Sequence, residues 1–218
     1  CGELPSGLPA GGKYLLLSRG AMAERRHAAC MVWICVKSGG APVVVIGGGM
    51  IGLLMVQLAK LAGAARVALL EPVEGKREVA GRLGADLCID PLHENVKDAL
   101  AAAGMNWINT VIECVGRLST MEQAIEIAGN KAVVMMFGLT KPEDTIAIKP
   151  FQIFQKELVL KTSYINPYTQ KRALELIDSG RLDVSSMVSE VCGLDRLEDI
   201  LSRPEIRAKG KYIISPEK

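Results

Sequence analysis

The sequence predicts a doubly wound, parallel α/β sheet, and three observations carry that expectation. From Val43 onward short β-branched runs alternate with helical runs, the pattern of right-handed β-α-β crossovers. The composition is rich in Ala, Val, Ile, Leu and Gly, with only 4% aromatic residues, which suits strands covered by helices on both faces. A cluster of glycines separates the first strand run from the first helical run.

The elements follow in order. Residues 43–46 are Val-Val-Val-Ile, a buried strand, and residues 50–62 form an apolar helix after the glycines. The uncharged stretch from Val43 to Ala59 could pass for a membrane span. Its β-branched start, its interrupting glycines, and Gln57 and Lys60 on the helix argue for strand plus core helix, since a span needs about 20 apolar residues in one helix. Strands are expected at 66–70, 87–89, 108–113 and 132–137, with helices at 75–83, 93–103 and 119–128 between them. A sixth strand, 158–163, would lie at the sheet edge. After Tyr164 the alternation stops: a helix at 168–179 ends at Gly180, another covers 194–202, and 211–214 is a short strand. Residues 1–36 differ from the rest, with Gly and Pro clusters, a basic Arg25-Arg26-His27 patch and no clear period. The expected organisation is an atypical stretch at 1–36, a sheet domain at 37–165 and a segment of a second unit at 166–218.

The glycine turn carries the chemistry. Gly47 allows the sharp exit from the strand, Gly49 lets a backbone approach a ligand closely, and Gly52 lets the helix lie on the sheet. Met50 and Ile51 open the helix, where amide N–H groups and the helix dipole favour an anion. A second strand then ends in Glu71, about 20 residues past the turn, placed to accept hydrogen bonds from the two ribose hydroxyls of an adenosine. Turn and acid together predict a Rossmann domain holding an adenine dinucleotide. The Glu71 carboxylate would repel a 2′-phosphate, so NAD is favoured over NADP, and Arg77 nearby softens that preference.

Other classes find little support. The net charge of +2 comes from well-mixed acids and bases, with no basic stripe for nucleic acid. The six cysteines, Cys1, Cys30, Cys35, Cys88, Cys114 and Cys192, form no C-x-x-C pair and read as reduced thiols of a cytoplasmic protein.

Together these features resemble the medium-chain dehydrogenase/reductases, the zinc-dependent alcohol dehydrogenase superfamily, and within it the polyol (sorbitol) and threonine dehydrogenase branch. The likeness runs from about Val36 to Ser215. It implies a role for Lys76 near the adenosine ribose. It implies that Cys114, Val115 and Gly116, in the run Glu113-Cys114-Val115-Gly116, line the cofactor cleft, and that Phe137, Gly138 and Leu139 touch the nicotinamide. Pro150-Phe151 and Lys156-Glu157-Leu158 resemble the run into the sixth strand, which in many relatives pairs with its copy in a second subunit; a homodimer or tetramer through 158–163 is implied. Lys211 is implied near the pyrophosphate.

The chain departs from the family in one large respect. Relatives begin with a catalytic domain carrying a Cys ligand, a Gly-His-Glu segment and often a four-cysteine zinc lobe, and none of these occurs here. The two histidines are His27, in the atypical stretch, and His93, expected as a solvated helix-start residue. Catalytic zinc needs three converging protein ligands, so no catalytic residue and no metal ligand is assigned. The chain opens on Cys1 and reads as a fragment. Codons able to encode His27 to Cys35, read from the third base of the first, permit Cys-Cys-Leu-His-Gly-Val-Asp followed by Leu or Met, a string similar to what polyol dehydrogenases carry before their nucleotide-binding domain. Residues 1 to about 35 are therefore expected to be an out-of-frame reading, with the family match resuming near Val36-Lys37; an unrelated codon pattern upstream in the locus would refute this.

The function expected is the cofactor-binding portion of an NAD-dependent oxidoreductase acting on a small alcohol or polyol, with zinc in intact relatives. The alternatives are a dinucleotide-binding module without catalysis and a zinc-independent quinone reductase using NADPH, against which Glu71 argues.

Overall fold

A computed structural model describes residues 40–163, 170–209 and 211–216. The expectations for residues 1–36, including His27 and three of the cysteines, lie outside the described residues.

Six strands form one parallel sheet in the order β3-β2-β1-β4-β5-β6. They are β1 (Val43–Ile46), β2 (Val67–Leu70), β3 (Leu87–Ile89), β4 (Thr110–Glu113), β5 (Val133–Met136) and β6 (Val159–Thr162). The helices between them are α1 (Met50–Leu61), α2 (Glu74–Arg82), α3 (Val96–Ala102), α4 (Leu118–Ile127) and α5 (Pro150–Lys156). The fold class and five of the six expected strands agree with the sequence reading to within a residue or so at each end. The fourth starts two residues later than expected.

Side-chain alternation divides the sheet between two cores. Val43 and Val45 join Leu69, Ile112 and Met135 under α1 and Ala80 of α2. Val44 and Ile46 face the other way, joining Leu70, Val111 and Val134 under α3 and α4. Every residue of β1 and β2 is 2% exposed or less, which is why these strands read as unbroken apolar runs. Burying each such side chain is worth about 1.5–3 kcal/mol.

One element differs from expectation near residue 93. The chain turns over residues 91–94, and α3 begins only at Val96, because Asn95 caps it by accepting from the N–H groups of Lys97 (3.1 Å) and Asp98 (3.3 Å). His93 therefore stands on the turn, with its Nδ1 3.0 Å from Asp90 Oδ2, and does not start the helix. Asp90 has its pKa lowered, first by the His93 hydrogen bond and then by the Leu92 N–H.

Beyond β6 the structure describes α6 (Gln170–Asp178), a 3₁₀ turn at Ser185–Met187, β7 (Val188–Cys192), a 3₁₀ turn at Leu194–Arg196, α7 (Leu197–Ser202), α8 (Pro204–Lys209) and β8 (Lys211–Ile214). β7 and β8 make a separate two-stranded parallel sheet. Ile177, Leu182, Val184 and Met187 from this tail pack into the same core as α1. The join has a polar clip. The buried Gln57 side chain donates from Nε2 to the Asp183 carbonyl (3.0 Å) and accepts from the Asp183 N–H at Oε1 (2.7 Å). The Asp183 carboxylate in turn accepts from the backbone and hydroxyl groups of Ser185 and Ser186.

Gln57→Leu removes both clip bonds and strands the Asp183 amide, so a loss of about 1–3 kcal/mol is expected, with faster proteolytic cutting after Gly180. Limited proteolysis at parental rates in the variant would refute this. Burial pushes the Asp183 carboxyl up, and the serine hydrogen bonds outweigh it, leaving the pKa below the ordinary value. A depressed folded pKa supplies stability above the unfolded value and loses it as pH falls through the folded value. The tail should accordingly loosen on acidification below about pH 4.

Candidate functional site

The strand order reverses between β1 and β4, and in open α/β sheets ligands bind in the crevice beyond the strand ends at such a point. Four loops meet there. Gly47 leaves β1 with φ at +100°, a left-handed conformation that favours glycine. A Cβ on Gly47 would stand 2.7 Å from Val115 Cγ2, so the turn rests against the loop after β4. A Cβ on Gly52 would stand 1.7 Å from the Gly47 carbonyl oxygen, so α1 packs backbone to backbone on the turn. Around Gly49 the space is open, with none of the described residues within 4 Å of its Cβ position, and Gly49 itself is exposed. Gly49 is the N-cap of α1 and offers no side chain to the first-turn amides. Met50 and Ile51, half-buried, form that first turn, whose N–H groups have no acceptor within the helix.

Glu71 follows β2 and is buried, at 6% exposure. Its carboxylate closes over the glycine turn: Oε2 accepts from the Gly48 N–H at 2.6 Å and Oε1 from the Val73 N–H at 3.0 Å. The sequence marked Glu71 but not this second attachment; Gly48, the middle glycine, carries it because a Cβ there would stand 2.8 Å from the Glu71 side chain. Arg77 is committed elsewhere. Its Nη1 donates to the carbonyls of Glu71 (2.8 Å) and Pro72 (2.7 Å) and pairs with Asp90 at 3.2 Å. Lys76, half-buried, lies beside it on the first turn of α2.

The loops after β4 and β5 interlock. Gly116 has φ at +78°, and a Cβ there would stand 2.4 Å from the Leu139 carbonyl oxygen. A Cβ on Gly138 would stand 2.0 Å from the Gly116 nitrogen. Val115 and Leu139 project outward at 41% and 87% exposure, while Cys114 and Phe137 are half-buried against the α1 core. Burial pushes the Cys114 thiol well above its ordinary value and the Glu113 charge adds to that. Lys211 lies in β8, on the separate small sheet.

The structure thus brings Gly47, Gly49, Met50, Ile51, Gly52 and Glu71 around one turn, and Cys114 to Gly116 against Phe137 to Leu139 across from it. Among the described residues, no group of three or more His, Cys, Asp or Glu side chains gathers where it could hold a metal ion, so the residues described here do not fit a zinc centre. A cavity of about 560 Å³ lies at the other end of the sheet, lined in part by Lys97, Trp107, Glu126 and Lys156. Its cations are already matched, Lys97 by Glu126 (2.5 Å) and Lys156 by the carbonyls of Glu126 (3.2 Å) and Ala128 (2.6 Å).

Comparison with known proteins places this crevice in context. A family model described as "Zinc-binding dehydrogenase" matches residues 50–179. The chain is 32% identical over 194 residues to a 2-dehydro-3-deoxy-L-galactonate 5-dehydrogenase of Pseudoalteromonas atlantica, covering 86% of this chain and 54% of that protein. It is 27% identical over 180 residues to an L-threonine 3-dehydrogenase of Pyrococcus horikoshii, covering 80% and 51%. Among solved structures, one from Sinorhizobium meliloti, described as a zinc-binding dehydrogenase bound to NADP, superposes with a TM-score of 0.83 at 33% identity, covering 91% of this chain and 59% of that one. The chain spans about half the length of the curated relatives it matches.

Proposed function

The chain belongs to the zinc-binding dehydrogenase family, and on that premise we propose that residues 37–165 are the NAD-binding part of an alcohol or polyol dehydrogenase. In this reading residues 166–218 return toward the catalytic half of the enzyme. The observation that carries it is the Glu71 carboxylate closed over the Gly48 N–H at 2.6 Å, beside the open space at Gly49. That contact holds the acid beside the turn, which supports a pyrophosphate at the glycines and an adenosine ribose at Glu71.

When bound, NAD supplies the hydride acceptor. The chain's own residues then hold it: amides of Gly49, Met50 and Ile51 face the pyrophosphate, and Glu71 accepts from the ribose hydroxyls. The backbone wall of Cys114–Gly116 and Phe137–Leu139 orients the nicotinamide. The substrate, a small alcohol or polyol, would be held largely by the other half, and no residue described here is assigned to its chemistry. NAD is favoured over NADP because Glu71 is acidic and Arg77 is already bound to carbonyls and Asp90. The free thiols Cys88, Cys114 and Cys192 suit a reducing cytoplasm. Among the described residues no helix is long and apolar enough to cross a membrane.

The test is titration of the purified chain with NADH and NADPH, following nicotinamide fluorescence. Saturable NADH binding, tighter than NADPH, is expected; absence of saturation by either on folded protein refutes the reading.

The same family reading gives β6 a partner. All four of its residues are exposed, Val159 at 44% and Leu160 at 39%, and Phe151 and Phe154 stand out beside it at 72% and 79%. An uncovered apolar edge strand favours sheet extension, so a dimer through β6 is expected in sedimentation equilibrium. Leu160→Asp should shift it to monomer, and a monomeric parent chain refutes the interface.

A further inference from the structure

Glu113 ends β4 with none of its surface exposed, and the cofactor reading gives it no part. It is nevertheless attached to both loops of the nicotinamide wall. Its backbone carbonyl accepts from the N–H groups of Phe137 (2.8 Å) and Gly138 (3.0 Å). Its side chain folds forward, and Oε1 accepts from the N–H groups of Val115 (2.8 Å) and Gly116 (2.9 Å). Thr120 Oγ1 also lies 2.8 Å from Oε1, at the start of α4. That hydroxyl is 2.9 Å from the Arg117 carbonyl as well, and its single proton serves one acceptor at a time.

The other oxygen, Oε2, is buried and has no hydrogen-bond partner among the described residues. It lies 2.5 Å from the position a Cβ would take on Gly138. A buried carboxylate with an unsatisfied oxygen costs stability, and an apolar side chain of similar volume would serve packing alone as well or better. What the carboxylate adds is geometry, since an apolar side chain cannot accept from two successive amides and hold Gly116 in its left-handed turn against Leu139.

We propose that Glu113 is a positioning residue for the nicotinamide half of the bound dinucleotide. It fixes the 114–116 loop against the 137–139 loop, so the wall is formed before the ligand arrives and need not be ordered by it. The proposal rests on the NAD reading above and goes beyond it, because it separates one half of the ligand from the other. Glu71 and the glycine turn hold the adenosine and pyrophosphate, and Glu113 acts only on what lies past them.

The experiment compares NADH with ADP-ribose, which lacks the nicotinamide ring, by calorimetric titration of the full chain. Glu113→Leu should leave ADP-ribose affinity within about two-fold of the parent and weaken NADH about ten-fold or more, toward the ADP-ribose value. Glu113→Gln keeps an acceptor at Oε1 and should restore most of the NADH affinity. If Glu113→Leu fails to fold, Glu113→Asp, whose carboxylate is withdrawn from the two amides, should give the same selective loss. Equal weakening of both ligands, no weakening of either, or failure of Glu113→Gln to rescue overturns the proposal. A parent chain that binds ADP-ribose and NADH equally also overturns it while leaving the NAD reading intact. A parent that binds neither removes the NAD reading itself.

Discussion

Gly52→Ala is expected to destabilise the fold by about 3 kcal/mol or more, at the upper end of what overpacking costs. At this chain length that lowers the melting temperature by roughly 6–12 °C. The added methyl would sit 1.7 Å from the Gly47 carbonyl oxygen and 2.9 Å from its carbon. Neither side can yield cheaply. α1 is buried continuously from Gly52 to Ala59, and the Gly47 N–H is tied to the Leu70 carbonyl at 2.8 Å. The turn would have to lift away from the helix, and the dinucleotide would lose the cradle with it. Gly49→Ala is the informative contrast. None of the described residues lies within 4 Å of its Cβ position and its φ is −70°, which any residue adopts. That variant should melt with the parent yet bind NADH at least about ten-fold more weakly, because in the proposed reading the methyl takes the space of the pyrophosphate. Thermal unfolding by circular dichroism and NADH titration decide both. A Gly52→Ala chain that melts and binds like the parent contradicts the packing described.

Glu71→Ala should weaken NADH binding about 10- to 100-fold, since it removes the proposed ribose acceptor together with the brace on the turn. The larger effect is on discrimination. In the proposed reading the carboxylate opposes a 2′-phosphate, and Arg77 stays bound to the carbonyls of Glu71 and Pro72 and to Asp90, so substitution of Glu71 does not release it to attract one. The ratio of NADH to NADPH affinity should therefore fall toward about one and not invert. Glu71→Gln retains an acceptor for the Gly48 N–H and should lose discrimination with less loss of NADH affinity. The Sinorhizobium meliloti relative is bound to NADP, which makes this ratio the quantity to measure. A parent chain preferring NADPH, or a ratio unmoved by either substitution, refutes the assignment of Glu71.

The middle of the sheet was legible because β1, β2 and β4 are buried on both faces, and Val43 to Ile46 can do little else than form a central strand. The glycine turn was legible because Gly47 and Gly52 answer local steric demands, while Gly49 leaves space open in front of the helix. What escaped notice depends on contacts between distant residues. β7 pairs with β8 across two short helices and a bulge, and its half-polar sequence, Val188-Ser189-Glu190-Val191-Cys192, has no period to announce it. α5 has seven residues, none buried, so no apolar stripe marks it. Gln57 read as a mild polar break in an apolar helix, yet it clips onto Asp183, 126 residues away. Glu113 opened the run that resembles a cleft-lining segment; only the fold shows that its carboxylate turns forward onto the amides of Val115 and Gly116.

The contact between Gly116 and Gly138 has a consequence for how such a pocket can diversify. The two loops meet through bare main chain, while Val115 and Leu139 extend from their tips into solvent. If the crevice binds a ligand as proposed, any retuning of what it prefers falls to those tips. The seam beneath them admits no intermediate: a single methyl at either glycine pries the loops apart.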